Sequence, residues 1–390
     1  MVTETYAPEV NGVAMTLGRL AAGLTARGHQ VNIVRPRQRH EETGRQSNGH
    51  CLTPGLPIPG YSELRFGLPV VGQLRRLWRE QTPDVIHVAT EGPLGFAALN
   101  AGRRLGIPVV STFHTNFHTY SQHYGIGWLK NSIERYLRWF HNRTVFTLAP
   151  TQALAAELSC LGFERVGVLS RGVDALLFNP ARRSLALRAE WGAASDDLVC
   201  IVVGRVAPEK NLGLALDAFA AIQQQHPSAR MVCVGDGPMR ESLARKYPQV
   251  RFVGARYGEE LAAYYASADL FLFPSVTETF GNVVAEALSS GTAVVAFHHA
   301  AAASLLREGI NGQCIALGDT AGFVAASCAL AQHLVQGESW RAACHASIRH
   351  LAWENIHAGY EQLLEKVVHC HGQHWPGEDA TSRGSSVLAD

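Results

Sequence analysis

The chain contains no Cys-x-x-Cys pair. Its eight cysteines stand at irregular intervals, several inside strand-like runs (Cys200, Cys233), so neither a thiolate zinc site nor a disulfide framework is suggested. No apolar run reaches the roughly 18 residues a membrane-spanning helix needs, and the opening residues do not read as a secretory leader. Together these absences set the expectation of a cytoplasmic protein. No G-x-G-x-x-G turn with an acid about 20 residues further on follows a strand, which argues against a nicotinamide-dependent dehydrogenase. Charge is sparse: Asp, Glu, Lys and Arg make up 17% of the residues, and the net charge is +1. With basic residues spread out rather than clustered, nucleic-acid binding has little support.

What is present points to a globular α/β protein. The 390 residues are 47% hydrophobic, enough for two or three domains with sizeable cores. Residues 1–175 carry a charge of +6 and the remainder −5, which either suits the first half to an anionic partner or is drift in an Arg-rich composition. Short apolar runs alternate with helical patterns: "HQVNIV", "PDVIHV", "IPVVSTFH", "RTVFTLAPT" and "ERVGVLSRGVD", then "DLVCIVVGR", "ARMVCVGDG", "QVRFVG", "ADLFLFPS" and "TAVVAF". Continuous β-branched runs separated by helices are the pattern of parallel sheets covered on both faces. It occurs once before about residue 175 and again after about residue 185. The expectation is two doubly wound, Rossmann-like domains, 1–175 and 185–350, joined near "GVDALLFNPARRS". Residues 38–60, rich in Pro, Gly and polar groups, read as a long loop, and 371–390 as a disordered tail. The first strand is odd, since "MVTETYAPEV" offers almost nothing before its turn: either the start is late or this edge of the sheet is short.

Ligands of doubly wound sheets bind beyond the carboxyl ends of the strands. In "IVVGRVAPEKN", Arg205 and Lys210 follow a strand, a pair of cations suited to a diphosphate; alone they could equally be solvated surface charges. In "SVTETFGNVVAEALSSG", a turn through Glu278, Phe280 and Gly281 leads into a helix near Asn282. Amides at a helix start favour anions and polar ligands. Glu278 can reach a sugar hydroxyl, and Glu286, one turn into the helix, a ribose diol. The plain alternative for Glu286 is an acid favoured in a helix's first turns. "CVGDGPMRESL" is a further glycine-rich turn and is weak by itself.

These residues resemble the retaining glycosyltransferase family 4 of the GT-B fold, over roughly residues 1–368. The resemblance rests on the E-x7-E element (Glu278, Glu286), the Arg205–Lys210 pair and the "YAPEVNGVA" loop. It implies two Rossmann-like domains facing across a cleft, with a last helix, about 352–368, packing back on the first. It also implies transfer of a hexose from a nucleotide diphosphate sugar with retention, without a metal, and the sequence offers no D-x-D site in a suitable place. Gly12 would approach the donor phosphates, its missing Cβ allowing close backbone contact. His114 would lie beside the transferred sugar, although taken singly it is more simply a buried histidine. His118 and Tyr120 are acceptor candidates.

Within the family, "FHTNFHTY" and "LSRGVDALLFNP" are similar to bacterial GDP-mannose-dependent α-mannosyltransferases and to plant sulfoquinovosyl-diacylglycerol synthase. This implies GDP-mannose as donor and a lipid or glycan acceptor. The alternatives are a UDP-sugar-dependent lipid glycosyltransferase, a UDP-sugar 2-epimerase of the same fold, and a non-enzymatic sugar-nucleotide-binding module. Residues 127–143 interleave Trp128, Leu129, Ile133, Tyr136, Leu137 and Phe140 with Lys130, Arg135, Arg138 and Arg143, and "QLRRLWRE" adds Arg75, Arg76 and Arg79. Such a face suits peripheral contact with an anionic membrane, or else a helix packed inward with a solvated side.

Overall fold

The structure is a computed structural model. It describes residues 1–7, 9, 12–38, 41, 43–45, 49–58, 61–114, 130–278, 280–337 and 340–371. The chain forms two compact units, Met1–Arg171 with Trp353–Asp390, and Gly172–Ala352. The expected tail, from residue 372 on, lies outside the described residues, as do His118, Tyr120, Trp128 and Leu129.

Among its described residues the first unit carries nine strands: β1 (Ile33–Pro36), β2 (Gly44–Arg45), β3 (His50–Thr53), β4 (Gly55–Ile58), β5 (Tyr61–Gly67), β6 (Ile86–Val88), β7 (Val109–Thr112), β8 (Phe146–Ala149) and β9 (Val166–Val168). β6 to β9 are parallel neighbours in chain order. β1 pairs parallel with β3, which β2 edges antiparallel, and β4–β5 form a separate antiparallel ribbon. Val2 bridges Val34 on one side and Val88 on the other, both in parallel, and so joins the two strand groups into one sheet. Alternate residues of the strands face opposite sides. Ile86, Val88 and Val109 pack with Leu74, Trp78, Leu94 and Phe140; Val110 and Leu148 pack with Leu20, Leu24, Tyr360 and Val367. The helix Trp353–Cys370 therefore lies against the helix Gly12–Ala26 as part of this unit.

The segment 38–60 corrects the expectation of a long loop, since it holds β2, β3 and β4. β3 is only four residues long, and its Cys51, Leu52 and Thr53 are buried beside β1. So short a strand between glycines and prolines gives no periodic signal to set against the turn residues.

The described residues of the second unit form one six-stranded parallel sheet, with helices between its strands: β10 (Val199–Val203), β11 (Arg230–Val234), β12 (Arg251–Gly254), β13 (Leu270–Phe273), β14 (Ala293–Phe297) and β15 (Gly312–Ile315). β10, β13 and β14 are buried at every residue. β15, "GQCI", lacked an apolar run and was not anticipated. The strand order is β12-β11-β10-β13-β14-β15. Succession thus runs outward from β10 in one direction, then restarts at β13 on β10's other side. That reversal is a topological switch point, where the loops following β10 and β13 diverge and leave a crevice. The start of β13 is fixed by Asp269, which accepts from Arg183, Arg188 and Arg341 at 3.0, 3.0 and 2.9 Å. The linker segment "GVDALLFNPARRS" is bonded into this unit, for example through Ser289 Oγ donating to the Phe178 carbonyl at 2.6 Å.

Candidate functional site

β10 ends at Val203, and Gly204 follows it with a φ of 149° that suits glycine. The chain then runs through Arg205 to a single 3-10 turn, Pro208–Lys210, and Asn211 in left-handed conformation starts the helix Leu212–Gln225. This loop is clamped to the one after β11: Val206 N–H donates to the Asp236 carbonyl at 2.9 Å and Met239 N–H to the Val206 carbonyl at 3.1 Å. The clamp explains "GDG". Gly235 and Gly237 have φ of 142° and 155°, and a Cβ on them would stand 1.8 Å from the Gly204 oxygen and 2.4 Å from the Val206 oxygen. The glycine turn that the sequence offered as weak evidence has a definite task, which is to hold the cation-bearing loop in place.

β13 ends at Phe273, and Glu278 follows it. Phe280 is buried, its carbonyl accepting from Ala301 N–H at 2.7 Å. Gly281, at φ 87° and ψ 59°, caps the helix Asn282–Ser289, which has no side-chain cap. The Gly281 and Asn282 amides therefore stand at an uncapped helix start, where the backbone favours an anion. The buried Asn282 Oδ1 has no hydrogen-bond partner among the described residues.

Across the switch point, Lys210 Nζ donates to Glu278 Oε1, and Ser275 Oγ donates to the same oxygen at 2.8 Å. The two side chains are only 22% and 15% exposed, so the ion pair is largely enclosed. The sequence reading assigned both residues to the site but did not anticipate their contact; it missed Ser275 altogether. Arg205 is different: it is 68% exposed and pairs loosely with Glu209 at 3.6 Å. Glu286 accepts from Tyr265 Oη at 3.3 Å, and burial pushes its pKa up to about 7 despite that bond. Tyr265, itself fully buried, was another partner invisible in the sequence.

In the first unit, His114 follows β7. Neither of its ring nitrogens has a hydrogen-bond partner among the described residues, and burial with the nearby Arg171 cation lowers its pKa to about 3. It is therefore a neutral imidazole across the physiological range. A Cβ on Gly12 would lie 3.1 Å from the guanidinium of Arg171. Arg171, 7% exposed, is the cation that links Gly12 and His114, and the sequence reading did not single it out. A supporting chain lies below His114: Tyr360 Oη meets His87 Nδ1 at 2.7 Å, and His87 Nε2 meets Thr112 Oγ1 at 2.5 Å.

The expected lipid-facing surface is only partly as anticipated. In the helix Lys130–His141, Leu137 and Phe140 are buried, and Ile133 packs on the core. Beside them stands a row of three near-parallel rings, of which Phe96 and Tyr136 are exposed and Trp139 is half-buried against the core. Trp139 stacks on Phe96 at 5.9 Å and on Tyr136 at 6.1 Å, with the Arg143 guanidinium 4.2 Å from the Trp139 ring. Among the described residues, His29, Glu361 and Glu365 are near enough to share a metal ion, but Arg27 Nε already donates to Glu361 at 2.6 Å. None of the three belongs to the strand-end sites.

Comparison with known proteins agrees with this geometry. The sequence profile described as "Glycosyltransferase Family 4" matches residues 10–175, and that described as "Glycosyl transferases group 1" matches 197–333. The chain is 32% identical to the GDP-mannose-dependent alpha-mannosyltransferase of Corynebacterium glutamicum, over 90% of this chain and 88% of that one. It is 36% identical to the protein of the same name in Mycobacterium tuberculosis, over 76% and 78%. Among solved structures, sucrose-phosphate synthase of Thermosynechococcus elongatus superposes with a TM-score of 0.76 at 18% identity, covering 95% of this chain and 99% of that one. Anabaena HepE, solved with UDP, gives 0.74 at 19%, covering 93% and 98%. At such identities these two speak for the fold alone. The family profiles and the sequence relatives place the chain in glycosyltransferase family 4, as a glycosyltransferase, and the solved structures give its fold as GT-B.

Proposed function

We propose that the protein transfers mannose from GDP-mannose to a lipid or glycan acceptor, with retention at the anomeric carbon and without a metal ion. The observation that carries this reading is the Lys210–Glu278 pair bridging the switch point between β10 and β13. A carboxylate that accepts sugar hydroxyls and an ammonium that meets the adjoining diphosphate have to be neighbours, because the sugar and the phosphate are bonded to each other. The anomeric C–O bond to the diphosphate breaks, the acceptor oxygen bonds to that carbon, and the acceptor's proton passes to the departing phosphate. Lys210, Arg205 and the helix-start amides at Phe280, Gly281 and Asn282 stabilise the charge that develops on the leaving group. Glu286 holds the ribose. His114, being neutral, offers a hydrogen bond to the transferred sugar rather than a proton, and Gly12 lets the backbone approach the phosphates. The choice of GDP-mannose is supported by the names of the sequence relatives.

A UDP-hexose is the second reading. Relatives named alpha-monoglucosyldiacylglycerol synthase, 28% and 27% identical, favour a glucosyl over a mannosyl donor within that reading. The experiment is a panel of sugar nucleotides assayed for turnover and by calorimetry, with and without EDTA. GDP-mannose turnover unaffected by EDTA is the expected result. Binding only with Mg²⁺ or Mn²⁺ overturns the metal-free reading; turnover of UDP-sugars alone overturns the donor.

A lipid acceptor asks for contact with a membrane. No helix of the described residues is long and apolar enough to cross one. The Phe96–Trp139–Tyr136 row, with exposed Arg103, Arg104, Arg135 and Arg143 on the same two helices and the turn after them, supports peripheral contact with an anionic leaflet. Amphipathic rings with flanking cations suit the headgroup layer.

A further inference from the structure

Two segments of the second unit meet the helix Asn282–Ser289 around Glu286. One is the helix Gly258–Ser267, whose Tyr265 donates its hydroxyl to Glu286 Oε2 at 3.3 Å. The other is the linker segment, whose Phe178 carbonyl accepts from Ser289 Oγ at 2.6 Å, on the same helix as Glu286. The two segments also meet each other: the Phe178 ring lies edge to face against the Tyr265 ring, with centroids 5.9 Å apart. Tyr265 meets Phe271 of β13 in the same manner, again at 5.9 Å, and its carbonyl accepts from Thr292 Oγ1 at 2.7 Å. Glu286, Tyr265, Phe178 and Ser289 thus close a ring of contacts that returns to the helix it left.

A buried hydroxyl has to find an acceptor, so the bond by itself calls for no function. Its surroundings give it one. Tyr265 is fully buried, and burial raises its pKa well above the ordinary value, so the hydroxyl remains a donor across the physiological range. As a neutral donor it favours the ionised carboxyl without cancelling its charge. It takes one oxygen only: among the described residues Glu286 Oε1 has no hydrogen-bond partner. The other ionisable groups nearby are engaged elsewhere. On Gly258–Ser267, Glu259 pairs with Arg182, Glu260 with Arg256, and Tyr264 packs on Trp191. Of the remaining elements packed on the Glu286 helix, β14 and the helix Ala300–Leu305 carry no ionisable side chain. The helix Trp340–Ser347 carries Arg341, Cys344 and His345, bonded to Asp269, the Asn311 carbonyl and the Ser289 carbonyl.

We infer, taking Glu286 as the acid that holds the ribose, that Tyr265 is a positioning residue: seated by Phe178 of the linker, it holds one oxygen of the Glu286 carboxylate and leaves the other for a ribose hydroxyl. The linker's seat and the grip on the nucleotide then form one energetic unit. Loosening Phe178 frees the ring that carries the hydroxyl, and a freed hydroxyl no longer supports the carboxylate.

The test uses Tyr265→Phe, which keeps the ring, and Phe178→Leu, which keeps the hydroxyl. Two quantities are followed: the titration midpoint of the Glu286 carboxyl by carbon-13 NMR of the free protein, its signal identified with Glu286→Gln, and the calorimetric affinity for whichever of GDP and UDP binds. Tyr265→Phe is expected to raise the midpoint from about 7 by about 0.5–1 unit, since a long hydrogen bond to an anion is lost. Nucleotide affinity relative to the unaltered protein is expected to fall by about 2–5-fold at pH 7 and by less at pH 9, where the carboxyl is ionised with or without the bond. Phe178→Leu is expected to move both quantities the same way by a smaller amount. An unmoved midpoint in Tyr265→Phe overturns the inference, as does a fall in affinity equal at both pH values, which marks a loss of structure only. A Phe178→Leu protein with both quantities unchanged overturns the linker's part. A midpoint raised as expected while affinity stays level, with Glu286→Gln also binding normally, refutes instead the ribose role of Glu286.

Discussion

Replacing Lys210 by alanine separates what the ion pair does for the fold from what it does for the reaction. In the free protein Lys210 contacts Glu278 with both side chains mostly enclosed, at 22% and 15% exposure. A gross Coulomb attraction of about 4 kcal/mol at 4 Å in a medium of effective dielectric 20 is largely offset by the cost of desolvating both groups. A net stability loss of about 1–2 kcal/mol follows, which is a fall of a few degrees in Tm. The loss in transition-state stabilisation is larger, on the order of 3 kcal/mol or roughly 100-fold in kcat/KM, because the charge on the departing diphosphate develops where Lys210 already stands. Arg205, two-thirds exposed and loosely paired, sharpens the contrast: Arg205→Ala should leave the Tm unchanged and still cost at least about tenfold in kcat/KM. The assay is initial-rate kinetics with GDP-mannose across Lys210→Met, Glu278→Gln and the double variant, isosteres chosen to keep the volume. Side chains in contact couple by about 0.5–3 kcal/mol, so the double variant should lose clearly less than the product of the singles. A Lys210→Ala enzyme within about threefold of the unaltered one would refute the reasoning, and so would strict multiplicativity of the singles.

The pH dependence of donor binding should report Glu286. Its folded pKa, raised by burial to about 7, lies above the unfolded value, so its protonated form favours folding; this contribution fades as pH rises from 4.5 to 7, by at most about 3 kcal/mol. Nucleoside diphosphate affinity, which uses the ionised form, should rise with pH through about 7, and Glu286→Gln should flatten both profiles; calorimetry showing the same slope in the variant rules the assignment out. Gly235→Ala, whose Cβ would meet the Gly204 oxygen at 1.8 Å, should cost more than about 3 kcal/mol of stability in denaturant unfolding. Trp139→Ala with Phe96→Ser should reduce sedimentation with anionic vesicles by about tenfold at unchanged turnover of a soluble acceptor, since interfacial rings and not the site are removed. An unchanged vesicle fraction would dismiss the membrane surface.

Much of the fold could be read because its strands are long runs of β-branched residues: "VCIVV" and "AVVAF" are β10 and β14 almost to the residue. What escaped was short or mixed. β3 and β15 have four residues each, mixing polar with apolar side chains, and their membership of a sheet is decided by the neighbour that receives them rather than by their own pattern. The helix Lys130–His141 failed differently. Its apolar stripe was plain, but a stripe does not say whether core or lipid will cover it; Leu137 and Phe140 went to the core, and the row on display borrows Phe96 from another helix.

The site divides along the same line. Arg205, Lys210, Glu278 and Glu286 could be picked out because each follows a strand within about a dozen residues, and strand ends are where such sheets bind ligands. That Lys210 touches Glu278 was beyond reach of the spacing, since 68 residues separate them. It follows only from β13 lying beside β10, which is a property of strand order. Tyr265 behind Glu286 and Arg171 beside Gly12 escaped for the same reason. Each bears on the charge state of a site group: the Tyr265 hydroxyl works against the burial that raises the Glu286 carboxyl to about 7, and the Arg171 cation, together with burial, keeps His114 neutral. The residue types in the motifs say which ligand is met, and the order in which strands assemble decides in what protonation state.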